Sequence, residues 1–271
     1  MATKKAASSV KKSTIKAVSV QAVSSNKTNW LSRSPLSRAP FMGALIAEFI
    51  GTFLLAGAVI AGQGQPIIIL FAIAGIVLLV GTLSGAHLNP AMTIGAWATR
   101  RVTGLRALGY IVAQFLGAGL AFAVLSAYVH GAAAVTPQAA AYGQAAASLF
   151  QANVIPQGKE WYIFFSELLG TVILGLAYAS ILKGKLDRVT NALTVGFGIF
   201  VALLIAASAA AYVGGSAIIN PAVALSLNAL KFELWPLAVY VLAPVIGGVI
   251  GFILHDILRV ESDGGQDRLV G

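Results

Sequence analysis

Six stretches of about 20 apolar residues, each nearly free of charge, constrain this chain more than any other feature. They lie at 41–61, 66–83, 105–129, 161–183, 189–212 and 234–258. A helix rises ~1.5 Å per residue, so each stretch suffices to cross ~30 Å of hydrocarbon. The expected fold class is an all-α membrane protein with six transmembrane helices. Composition agrees. Only 10% of residues are charged, against roughly 25% in a soluble domain. Such a chain lacks the polar surface to face water on all sides, so its main solvent is lipid. It contains no cysteine, which removes disulfide, zinc-thiolate and thiol chemistry.

Two further apolar pieces, 89–100 and 220–230, are too short to span. At ~1.5 Å per residue they reach about halfway. Each opens with the same tripeptide, Asn89-Pro90-Ala91 and Asn220-Pro221-Ala222. Proline suits the first turn of a helix, where its missing N–H would be an orphan anyway. Asparagine just before it is a good N-cap. Each tripeptide therefore reads as a re-entrant half-helix starting in the middle of the bilayer. Arg100 and Arg101 are expected to end the first one, where cations favour the negative end of the dipole. Two helix N-termini meeting at one point would repel cations, and each Asn amide would offer donors to a passing oxygen atom.

The halves repeat in order. Glu48-Phe-Ile-Gly51-Thr52 matches Glu167-Leu-Leu-Gly170-Thr171, and Asn-Pro-Ala recurs 131 residues on. Tyr110-Ile-Val-Ala-Gln-Phe-Leu-Gly117 matches Tyr240-Val-Leu-Ala-Pro-Val-Ile-Gly247. Three spans per half is an odd number, so the second half enters the membrane inverted. Inverted repeats with broken helices place a pathway at the midplane. The channel domain is read as 41–258, with repeats over about 41–129 and 161–258. A basic tail of 1–40 precedes it and a short tail of 259–271 follows.

Charge sets the expected orientation. Residues 1–40 hold Lys4, Lys5, Lys11, Lys12, Lys16, Lys27, Arg33 and Arg38, with no Asp or Glu. With both termini inside, Arg100, Arg101, Arg106, Lys183, Lys185, Arg188, Arg259 and Arg268 join them, leaving Lys159 and Lys231 outside. The tail reads as a disordered segment near anionic lipid rather than a nucleic-acid binder. Its Ser, Ala and Thr content also matches a transit peptide, which keeps organelle targeting as an alternative to the plasma membrane. The external stretch 130–160 carries no functional signal.

An acidic residue inside a span is costly and marks a functional site by default. For Glu48 and Glu167 a proton-relay role competes with a structural one, in which each carboxylate accepts hydrogen bonds from loop N–H groups ahead of a half-helix. The structural role is preferred. His87, beside the first motif, reads as a loop brace rather than a ligand, because no second His, Cys or clustered carboxylate accompanies it; no metal site and no cofactor are expected. Gly51, Gly117, Gly170 and Gly247 read as helix-packing positions.

On these residues the chain resembles the aquaporin, or major intrinsic protein, family. Ser84-Gly85-Ala86-His87-Leu88-Asn89-Pro90-Ala91 is close to that family's first loop, and the glutamate motifs, the second tripeptide and the Gln114/Gly117 helix are similar as well. The resemblance covers about 41–258. It implies a homotetramer with one pore per subunit and passive passage of water or small uncharged solutes. It also implies an outer filter of four residues. The family usually has an arginine directly after the second tripeptide; here that position is Val223. Ungapped counting from the motifs gives Ile69, Ser208 and Ala217 as the other three. The expected filter is thus small, apolar and uncharged, wider and less polar than that of a strict water channel. Two other readings remain beside the channel: a junction or scaffold protein with an occluded pore, and a secondary transporter. An enzyme is not expected, for no nucleophile–base pair, phosphate loop or metal cluster is present.

Overall fold

The computed structural model describes residues 39–143, 145–183 and 187–266. The cations of the N-terminal tail, with Lys185 and Arg268, lie outside the described residues. Among the described residues six helices are long and apolar enough to cross a membrane. They are α1 (Ala39–Ala61), α2 (Pro66–Ser84), α4 (Gly104–His130), α6 (Glu160–Lys183), α7 (Arg188–Ala211) and a final crossing that runs from Leu234 to Arg259. The half-helices are α3 (Pro90–Ala98) and α8 (Pro221–Ser226), and a short α5 (Pro137–Ala141) lies in the 130–160 stretch. The final crossing is assembled from α9 (Leu234–Leu237), a π-helical turn over Ala238–Leu242 and α10 (Ala243–Gln266). Pro244 explains that turn. It has no N–H for the carbonyl of Tyr240, and its ring would crowd that carbonyl, so the ladder widens by one residue just before it.

The helices begin and end where local chemistry dictates. Asp187 caps α7, accepting from the N–H groups of Val189 and Thr190. The Thr190 hydroxyl and these N–H groups hold its carboxyl below the usual aspartate range. Both half-helices stop in the same way. Arg100 adopts φ 59° and Asn228 φ 58°, and the next N–H in each case reaches back five residues, Arg101 to Ala96 and Ala229 to Ala224. That is the Schellman termination, which satisfies the last carbonyls. It corrects one expectation. Arg100 and Arg101 lie beyond the last turn of α3 rather than in it. Arg101 is part-buried with its side chain largely enclosed, paired with Asp256 of α10 at 2.9 Å and stacked over Phe252 at 4.9 Å. Its role is to clamp α3 to α10.

Apolar side chains face both ways, as a lipid solvent requires. Phe71, Leu79, Leu105 and Leu108 point outward, whereas Leu55, Ile73, Leu174 and Phe252 are enclosed. The four span glycines divide into two pairs. A Cβ at Gly117 would run into the backbone of Phe49, and one at Gly247 into the backbone of Leu168, so these two let α4 close on α1 and α10 on α6. A Cβ at Gly51 would strike Leu88, and one at Gly170 would sit 2.7 Å from Ile219. This second pair seats the loop residues that precede the half-helices.

Candidate pore and its outer filter

The two tripeptides meet head to head. The Asn89 carboxamide oxygen accepts from Ala91 N–H at 2.9 Å, and that of Asn220 from Ala222 N–H at 3.0 Å. Each is therefore the cap of its own half-helix. Each also donates across the repeat boundary: Asn89 Nδ2 to the carbonyl of Ile219 at 2.8 Å, and Asn220 Nδ2 to the carbonyl of Leu88 at 2.9 Å. One N–H of each amide is thus spent on holding the halves together, and one remains.

The residues just before the asparagines carry the cost of this arrangement. Leu88 and Ile219 both take φ 53°, a left-handed conformation that is a genuine outlier for a β-branched isoleucine. Buried carboxylates hold them there. Glu48 accepts from His87 N–H at 2.8 Å and Leu88 N–H at 2.7 Å, and Glu167 from Ile218 N–H at 2.5 Å and Ile219 N–H at 2.7 Å. Glu48 has a third donor, Gln114 Nε2 at 2.7 Å, which also reaches Thr93 Oγ1 at 2.9 Å. Among the described residues Glu167 has no counterpart to it, because Pro244 occupies the position that Gln114 holds in the first repeat. The His87 ring lies 3.2 Å from Thr93 Oγ1 and edge-on to Tyr110. Tyr110 and Tyr178 donate to the carbonyls of Ser84 and Ala86, at 2.8 and 3.1 Å.

A cavity of about 140 Å³ opens from Asn220 along α8. That volume admits several waters, each needing roughly 10–15 Å³ on this measure. Ile69, Ala217 and Val223 line it. Ser208 does not: it is exposed on the outside of α7, and Ala207 faces the cavity instead. One residue turns a helix by about 100°, so a slip of one position in ungapped counting moves a side chain from lumen to lipid. The inward stripe Ile199, Leu203, Ala207 keeps a spacing of four and could have revealed the register. Two lining residues, Phe150 and Ala152, come from the 130–160 stretch, which shows no functional signal in the sequence. Their place depends on contacts far along the chain: Ala152 N–H to Leu227 O at 3.1 Å, and Asn153 N–H to Ser216 Oγ at 3.0 Å.

The chain is 30% identical to Aquaporin AqpM of Methanothermobacter marburgensis, over 80% of this chain and 97% of that protein. It is 30% identical to Glycerol uptake facilitator protein-like 6 of Lactiplantibacillus plantarum, covering 82% of this chain and all of that one. It is 32% identical to the Lens fiber major intrinsic protein of Ovis aries, over 82% and 83%. The fold matches that of the aquaglyceroporin from Plasmodium falciparum with a TM-score of 0.60 at 23% identity, over 80% of this chain and 96% of that one. The sequence model of the major intrinsic protein family matches residues 35–255, and with paired half-helices capped by Asn89 and Asn220 this six-span chain belongs to that family.

Proposed function

We propose that the protein is a passive transmembrane channel for water and small uncharged solutes, with an apolar outer filter formed by Ile69, Ala207, Ala217 and Val223. The observation that carries this reading is the cavity that reaches Asn220 from the outer side, past Val223. At its floor two half-helices meet at their positive ends, which disfavours cations. Asn220 retains one N–H for a passing oxygen atom. Apart from Ser216 the remaining lining side chains are apolar, so a solute makes few strong contacts and leaves quickly. Family membership supports a channel rather than an enzyme. A homotetramer, a plasma-membrane location and cytoplasmic termini belong to the same proposal.

A transporter finds less support. Glu48 and Glu167 are both engaged by loop N–H groups, so neither is placed to couple an ion to transport. The occluded-pore reading has one observation in its favour. Val223 offers neither charge nor donor in the cavity, and an apolar constriction can close by dewetting.

Osmotic shrinkage of proteoliposomes separates these readings. Wild-type vesicles are expected to shrink several-fold faster than empty ones with water, and to admit glycerol or urea. Val223→Arg is expected to keep water flux and lower glycerol flux, because the guanidinium narrows the lumen and restores a fixed charge. Wild-type rates equal to those of empty vesicles for every solute would sink the open-channel reading in favour of the occluded one. Saturable, ion-dependent uptake would favour a transporter.

A further inference from the structure

The four filter positions supply no aromatic ring and no charge, yet the lining of the cavity they border includes one aromatic side chain. Phe150 lines it, and its ring lies against Gly64 in the turn between α1 and α2: a Cβ on Gly64 would come within 2.7 Å of the ring. Gly64 takes φ 66°, so glycine suits the site on both backbone and steric grounds. The ring is not on a free loop. Ala152 N–H donates to the carbonyl of Leu227 at the end of α8. Asn153 N–H and Nδ2 reach Ser216 Oγ and Gly214 O, at 3.0 and 3.3 Å, on the approach to the second tripeptide. Three bonds to the second repeat and one ring contact with the first wedge the segment across the mouth.

Depth follows from helix geometry. α8 runs outward from its cap Asn220 to Leu227, seven residues or ~10 Å at ~1.5 Å each. Val223 stands about halfway, and the segment carrying Phe150 is tied to the outer end through the Ala152 N–H bond to Leu227. We infer that Phe150 is a fifth specificity-determining residue of the pore, a hydrophobic rim contributed by the external segment that sets the outer width where no arginine does so. A phenyl face admits neutral, compact solutes and offers no hydrogen bond to a polyol that must shed water to pass. The inference rests on the channel reading.

The absence of cysteine makes a direct test available. Phe150→Cys gives a chain with one thiol, at the rim. A bulky, neutral, membrane-permeant methanethiosulfonate added to proteoliposomes is expected to reduce water flux to the level of empty vesicles, with recovery on reduction. The same reagent on Val154→Cys, at a highly exposed external position, is expected to leave flux unchanged. Phe150→Ala is expected to raise the glycerol-to-water flux ratio several-fold. Complete labelling at 150, verified by mass, with undiminished flux would overturn the inference while leaving a conducting wild type as a channel. If wild type is sealed and Phe150→Ala conducts, the open-channel reading fails and the rim stands as a closure. If both are sealed, both fail.

Discussion

Glu48 and Glu167 show how one residue type at matched positions does unequal work. Both are fully buried, and both pin a strained loop residue. Glu48 satisfies three donors and Glu167 two. Each buried donor left unpaired costs about 1–3 kcal/mol. Glu48→Ala is therefore expected to lower thermal stability in detergent more than Glu167→Ala does, by roughly one such donor. Equal midpoints for the two variants would show that Gln114 finds another partner when the carboxylate goes. A bracing role for both acids was legible in the sequence, because each opens the same Glu-x-x-Gly-Thr pattern in the first span of its half. The difference between them was not, since it turns on Gln114 and Pro244 arriving from other helices.

At the level of elements, the spacing of the spans was read almost to the residue, and the half-helices were read longer than they are. Sequence marks the start of a half-helix by Asn-Pro and leaves its end unmarked, since Arg100 and Asn228 reach left-handed backbone without glycine. Glycine roles likewise emerge only from contact. Gly117 abuts backbone, which has no means of yielding, whereas Gly75 has open space around its Cβ position. Gly117→Ala is expected to destabilise by about 1–3 kcal/mol or more through overpacking. Gly75→Ala is expected to be neutral or to stabilise by up to ~1 kcal/mol through helix propensity. Thermal midpoints of the two in the same detergent check this, and a larger loss at Gly75 would refute the assignment. Arg101→Ala is expected to lower stability by about 1–3 kcal/mol, read as a lower thermal midpoint in the same detergent, because it removes both an ion pair and a ring contact from a largely enclosed site.

For the whole molecule, six crossings and two half-entries place Arg100, Arg106 and Arg188 at one end of the bundle and Lys159 and Lys231 at the other. This distribution supports the proposed orientation, in which the positive-inside rule places the first group in the cytoplasm. Single cysteines again serve, since the chain has none. In intact cells an impermeant thiol reagent is expected to label Lys231→Cys and to label Arg106→Cys only after permeabilisation. The reverse pattern would invert the proposed topology and place the Phe150 rim on the cytoplasmic side.

The twin Asn-Pro-Ala tripeptides and the six apolar stretches determined the architecture by themselves, because hydrocarbon thickness and the capping chemistry of Asn-Pro are local and leave few alternatives. Tertiary structure alone decided what faces the lumen. A pore wall is drawn from segments far apart in sequence, and each side chain points inward or outward according to a helix register that one residue can reverse. That is why Val223, adjacent to a motif, could be placed beside the cavity from sequence, why Ala207 rather than Ser208 lines it, and why Phe150 went unnoticed in a segment without periodicity. The same rule separates the two asparagines' roles. Their capping was written in the tripeptide, while their reciprocal bonds to Leu88 and Ile219 exist only because the two halves meet.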